Sequence, residues 1–339
     1  MTDHSQILFE LSKIANLRAL VVGDIMLDSY EFCYTEKSKP IDSEKPGKRA
    51  YESIDPIEVL GGAGNVAANL ASLGVFTSLV GLTGNDEKYF KLRELAEQSG
   101  IKPFFVRDGS RPTTSKARIY LDGEYLLRRD YERSLKVDDE TSAKLVNEAL
   151  RILPQVDFVI LSDYNKGVFT EANGQTIIKE CNLHAIPVVV DFKPENRRAF
   201  SGADIIAPNE VEAAALVPGF SIESLEISCD QLHQLLHCRN TVVTLGENGL
   251  CGCGNDGFIH IPGNRVPEVD GVGCGDTARA GLAIGIALGF SLSESMELAN
   301  DAASVIVQKP ATASISLDEL LMFISNKSLK NTQQKNSAE

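Results

Sequence analysis

The segment 270–277 reads DGVGCGDT: Gly271, Gly273 and Gly275 crowd with Cys274 in front of Asp276, and the apolar run ARAGLAIGIALGF follows. Glycines let a backbone turn sharply and approach a ligand closely. The first N–H groups of the helix that must begin here have no intrahelical acceptor, and the helix dipole is positive at that end. Together they form a hole for an anion such as phosphate. A carboxylate at the same helix start can take a proton from an alcohol. Taken alone, the segment serves equally well as an N-cap in a Gly-rich turn.

Further polar residues stand after strand-like runs. Asp24 and Asp28 follow LRALVVGD (17–24), and SDYNKG brings Asp163 and Lys166 after VDFVILSD (156–163). DFKPEN supplies Asp191 and Lys193, PNEVE supplies Asn209 and Glu212, and GENG follows TVVTLG (241–246). In an open parallel sheet, the carboxyl ends of the strands are where ligands bind.

The elements that must position these residues alternate. Helical patterns at 64–74, 86–100 and 170–183 separate strand patterns at 17–24, 75–82, 156–163, 186–192, 203–209 and 241–246. This rhythm predicts an α/β fold, doubly wound, with a mostly parallel sheet and helices on both faces. Two stretches interrupt it. TSKARIYLDGEYLLRRDYE (114–132) reads as two strands around the turn Asp122-Gly123, and 29–60 is irregular, polar and strand-prone in places. They are read as a small inserted β-lid, within about 29–60 and 112–133. A second hairpin is expected at Asp256-Gly257. The whole of 1–325 is read as one domain, and the polar tail 326–339 as disordered.

Composition narrows the classes. There are 33 Lys and Arg against 47 Asp and Glu, a formal charge of −14, which disfavours nucleic acid and anionic membranes as partners. No basic leader precedes an apolar stretch, and no apolar run is long enough to span a bilayer. A cytoplasmic location with seven reduced cysteines is expected. LGGAGNVAANLASLG (60–74) fits a dinucleotide fingerprint poorly, since Ala67 replaces the third glycine and no acid closes the next strand.

The two Gly-rich segments resemble the two signatures of the ribokinase-like (PfkB) carbohydrate kinase family. GGAGNVAANLASLG is similar to the first and DGVGCGDTARAG to the second. PNEVE is similar to the family's N-x-x-E element, and TLGENG to its T-x-G-x-x-G element. The resemblance runs from about residue 17 to 325. VVGDIMLDSY, RPTTSKARI, LLRRDYE and LSDYNKG resemble the heptose 7-phosphate kinases within that family. Those are often fused to an adenylyltransferase, and no H-x-G-H motif occurs here, so a stand-alone kinase is expected. Three departures stand out: Cys274 replaces a smaller residue, Gly271 stands where Thr, Ser, Pro or Val is common, and segment 40–59 lacks the Ser-Pro-Glu-Ala-Pro-Val stretch of the heptose enzymes.

The resemblance implies ATP and Mg²⁺, with K⁺ as a further candidate, and a sugar phosphate as acceptor. Asp276 would be the base, and the amides of Gly273, Cys274 and Gly275 would steady the transferred phosphoryl group. Asp28, Gly62, Asn65 and Asp163 would border the sugar, with Lys116, Arg118, Arg128 and Lys166 as candidates for its phosphate. Lys193, Asn209, Glu212, Thr244, Gly246 and Gly249 would border ATP, and Glu212 and Asn209 would hold Mg²⁺ through water. Arg118 and Arg128 face each other across the hairpin. A homodimer through the lid is implied. A kinase for a neutral sugar or nucleoside, and a non-catalytic binding protein on a kinase fold, are the alternatives.

Overall fold

Runs of Val, Ile and Leu that are apolar at every position must be buried on both faces, and this dictates the central layer. Ala19, Leu20, Val21 and Val22 are each 0% exposed. Ala19 and Val21 pack into one core, Leu20 and Val22 into the other. The computed structural model describes residues 4–53, 56–255, 257–309 and 313–336.

In chain order the elements are α1 (His4–Leu11), β1 (Arg18–Gly23), β2 (Ile25–Pro40), β3 (Arg49–Ser53), β4 (Ile57–Gly62) and α2 (Ala63–Ser72). Then come β5 (Phe76–Thr83), α3 (Glu87–Gln98), β6 (Lys102–Arg107), β7 (Ser115–Leu121), β8 (Glu124–Tyr131), α4 (Asp139–Ile152) and β9 (Phe158–Ser162). Next are α5 (Glu171–Leu183), β10 (Val188–Asp191), β11 (Ile205–Ile206), α6 (Glu210–Leu216), α7 (Leu225–Leu236) and β12 (Asn240–Thr244). The chain closes with β13 (Leu250–Gly254), β14 (Gly257–Ile261), α8 (Cys274–Ala287), α9 (Leu292–Ile306) and α10 (Leu317–Asn336).

Nine strands form the main sheet in the order β14-β13-β12-β11-β10-β9-β1-β5-β6. The seven from β12 to β6 are parallel, and β13 and β14 add antiparallel at one edge. The doubly wound reading therefore holds. Asp256 of the second expected hairpin lies outside the described residues, but β13 and β14 flank it and pair antiparallel.

The lid is a second sheet, in which β2 pairs with β4 and β3 on one side and β7 on the other, and β8 closes the edge. Within 29–60, most of the strand-prone stretch belongs to β2, whose 16 residues make it the longest strand, and its polar outer end is exposed. The Asp122-Gly123 turn has both residues at positive φ, 53° and 87°, as a two-residue hairpin requires. The tail reading is corrected. Helix α10 continues to Asn336, and Lys327 within it pairs with Asp301 at 2.6 Å.

Candidate active site

Helix α8 begins where the sequence places the anion hole. Gly273 is its N-cap at φ 84°, a conformation that side chains rarely tolerate, and Asp276 lies in the first turn. Gly275 is glycine for another reason. A Cβ there would stand 2.5 Å from Arg279 Nη1, so the arginine folds back over this position. The amide of Cys274 donates to Gly271 O at 3.3 Å, whereas those of Gly273 and Gly275 have no acceptor among the described residues.

Asp276 is buried and fully oriented. Asn65 Nδ2 donates to its Oδ2 at 2.6 Å, and the Tyr164 hydroxyl donates to its Oδ1 at 2.8 Å. Asn65 comes from α2, the helix opened by the first Gly-rich segment. One turn on, Asn69 donates to Asn65 O at 2.9 Å and accepts from Thr277 Oγ1 at 2.9 Å. The two Gly-rich segments thus meet in one polar ladder. Asn65, expected against sugar hydroxyls, spends its amide on the carboxylate. Gly62 turns β4 into α2 at φ 59°, where a Cβ would strike Asp24 O at 2.4 Å, so packing accounts for that glycine.

Two adjoining cavities of about 340 and 230 Å³ lie beside the start of α8. The first is lined by Asn209, Thr244, Gly246, Gly249, Cys274 and Gly275. The second shares Gly246 and Cys274 and reaches Gly263, Asn264 and Glu268. Gly249, at φ 86°, lets the loop after β12 lie against β14, since a Cβ would meet Ile261 O at 2.1 Å. Cys274 lines both cavities. Burial, with Glu268 and Asp270 adding to it, pushes its thiol up to about 11, so the reactive thiolate is scarce near neutral pH.

The two residues expected to meet Mg²⁺ through water have protein partners in this structure. Asn209 and Glu212 form the capping box of α6, each accepting the other's backbone N–H at 2.9 Å. The remaining Glu212 oxygen takes the Lys193 ammonium. No group of three or more His, Cys, Asp or Glu that could hold a metal ion occurs among the described residues. Lys193 itself points to Glu212, not into the 340 Å³ cavity.

On the other side of Asp276 stands the lid. Lys116 and Arg118 alternate on β7 and so share a face, and register sets Arg118 opposite Arg128 and Lys116 opposite Asp130. The two arginines are thus direct cross-strand neighbours, and each holds a different carboxylate. Arg118 pairs with Asp28 at 3.2 Å, and Arg128 grips both oxygens of Asp130 at 2.8 and 3.0 Å. Lys166 Nζ reaches Glu132 Oε1 at 2.6 Å. Burial and the neighbouring charges of Lys166 and Arg128 pull the Lys116 ammonium below its ordinary range. Asp28 is pushed upward by burial against the opposing pull of Arg118.

Asp163 is corrected. It is 0% exposed and accepts from the amide of Asn165 at 2.9 Å, Lys193 N at 3.3 Å and Asn196 Nδ2 at 2.9 Å. It is a loop anchor that no sugar reaches. The sequence reading missed Tyr164 and Arg279. Arg279 is buried, pairs with Asp191 at 2.8 Å and donates to Ala207 O at 3.3 and 3.2 Å. Asp191 is pushed up to about 7, by burial first and with Arg279 opposing. A tyrosine directly after a buried strand and one acid from the sheet edge was the available signal for Tyr164.

A doubly wound sheet, a β-lid and a Gly-led helix with a buried aspartate between them define the ribokinase-like class. Phosphofructokinase-2 from Escherichia coli, in its tetrameric inhibited form, superposes with TM-score 0.74 at 17% identity, over 92% of this chain and 99% of its own. Ribokinase from Thermotoga maritima does so with TM-score 0.69 at 22% identity, over 91% and 99%. The chain belongs to the pfkB family of carbohydrate kinases, whose model matches residues 18–320. It is 37% identical over 313 residues to the bifunctional protein HldE of Bradyrhizobium diazoefficiens, covering 91% of this chain and 63% of that relative. With HldE of Nitratiruptor sp. it is 33% identical over 306 residues, covering 89% and 64%. The chain thus spans less than two thirds of the length of these curated relatives. Among the described residues no helix is long and apolar enough to cross a membrane.

Proposed function

We propose that this chain transfers the γ-phosphoryl group of ATP to a hydroxyl of a phosphorylated sugar, with heptose 7-phosphate as acceptor and heptose 1,7-bisphosphate as product. The observation that carries the reading is the setting of Asp276. Its helix start lines the cavities bordered by Thr244, Gly246 and Gly249, while its other side faces Asp28 and the cationic lid strands. The acceptor hydroxyl gives its proton to Asp276 as its oxygen bonds to the γ-phosphorus, and ADP leaves. The amides of Gly273 and Gly275 meet the charge that develops on the phosphoryl oxygens. Mg²⁺ enters as the counter-ion of the nucleotide substrate, and no step is assigned to a metal held by the protein.

The similarity to the HldE proteins and the lid cations support a phosphorylated heptose. One observation favours a second reading, a neutral sugar: Arg118 and Arg128 already have carboxylate partners. ADP release measured over sugar 7-, 6- and 1-phosphates beside their neutral sugars decides between them. Turnover confined to phosphorylated acceptors supports the first reading, and equal turnover of neutral sugars supports the second. Strand β8 is an exposed edge bearing Tyr125, Leu126, Leu127 and Tyr131, and it suits pairing with a second copy through the lid. A monomeric mass in light scattering would remove that part.

A further inference from the structure

We infer that Tyr164 is a positioning residue for Asp276, delivered to it by a loop that is pinned from both the sheet and the connections that flank the lid strands. The inference rests on the reading of Asp276 as the base. Residues 163–167 leave β9 and cross under the lid. Asp24 Oδ2 accepts the amides of Tyr164 at 2.7 Å and Lys166 at 3.0 Å. Asn165 is left-handed at φ 56°, and Asp163 holds its amide. Gly167, at φ 91°, passes so close to Leu135 O that a Cβ would come within 1.9 Å. From the connections that flank the lid strands, Arg111 Nη1 donates to Lys166 O at 2.9 Å, Val137 N donates to Gly167 O at 2.9 Å, and Lys166 pairs with Glu132.

A short segment fixed at so many points has no freedom to place its one aromatic side chain elsewhere. The Tyr164 hydroxyl meets Asp276 Oδ1 while Asn65 meets Oδ2. One donor on each oxygen fixes the plane of the carboxylate and leaves lone pairs for the acceptor hydroxyl. Burial, with the charge of Asp276 adding to it, holds the Tyr164 hydroxyl well above its ordinary range, so it stays a donor throughout neutral pH. The charges facing this pair are Asp24 beneath the loop, Asp28 from β2, Asp191 and Lys193 from the end of β10, Glu212 from α6 and Arg279 from α8. The loop also ties the base to the lid. Lys166, two residues from Tyr164, faces Lys116, the cation beside Asp28.

The test is Tyr164→Phe, assayed with MgATP and the sugar acceptor that the wild type phosphorylates fastest. A hydrogen bond to a charged group is at stake, so kcat should fall about 10- to 100-fold. KM for both substrates should stay within about threefold, and the acid limb of the kcat–pH profile should move up by about half a unit or more. Incorporating 3-fluorotyrosine at 164 strengthens the donor without changing its shape and should move the same limb down. A variant that folds with the wild-type thermal midpoint, turns over within threefold of wild type and keeps its acid limb overturns the inference. So does an acid limb that fails to move with fluorotyrosine. Asp276→Asn serves as the control. If it is inactive while Tyr164→Phe is unaffected, only this inference fails; if Asp276→Asn is active, the kinase-base reading fails.

Discussion

The two sides of Asp276 are built from different materials. The side proposed for the nucleotide is mostly backbone: Gly246, Gly249 and Gly273 hold positive φ, and the loops they shape line the cavities. The lid side is mostly charged side chains, and each of Arg118, Arg128 and Lys166 already has a carboxylate partner. On the proposed function, the backbone walls would meet what every nucleotide substrate shares, and the side chains of the inserted sheet would meet what distinguishes one acceptor from another. Specificity is therefore expected to reside in the lid, and transfer in α8.

Substitutions can break that division, from the largest effect to the smallest. Asp276→Asn sits where both sides meet. It should lower kcat by about 10²- to 10⁴-fold, the usual scale of general-base catalysis, while ATP still binds in calorimetry. Gly249→Ala attacks the nucleotide side alone. Strain at φ 86° should cost about 1–3 kcal/mol in thermal unfolding and raise KM for ATP, with KM for the sugar unmoved. Arg128→Ala attacks the lid side alone. It should raise KM for phosphorylated acceptors about tenfold and leave neutral sugars and ATP unchanged, and an equal effect on neutral sugars would remove the phosphate clamp. Cys274 gives the smallest effect. With its thiol held near 11, alkylation by iodoacetamide should be slow at pH 7 and quicken about tenfold per unit up to pH 10, with ATP protecting.

The same division explains what could be read from the chain. Positions that the backbone dictates were legible, because a glycine at positive φ or a polar residue at a strand end carries its reason locally. The helix start at 273–276, the loop 244–249 and the Asp122-Gly123 hairpin fall in this group. The register of Arg118 and Arg128 also followed from the turn between them. Roles that depend on a distant partner were not legible. Asn65 meets Asp276 across 211 positions and Tyr164 does so across 112, and no local pattern announces either contact. Asp163 looked like Asp28 in sequence, yet folding encloses it completely. Asn209 and Glu212 cap α6 with each other's backbone N–H groups, a local use of the same two residue types that the family resemblance assigns to a metal shell. The strand-prone character of 29–60 was legible, but not the length of β2, because its outer end is polar and exposed.

The most direct measurement is the ratio of kcat/KM for heptose 7-phosphate to that for the unphosphorylated heptose, read by ADP release with the wild-type chain. If the lid cations select the acceptor, the ratio should exceed about 10², the worth of one or two charge-assisted contacts to the phosphate. A ratio near one would contradict the account.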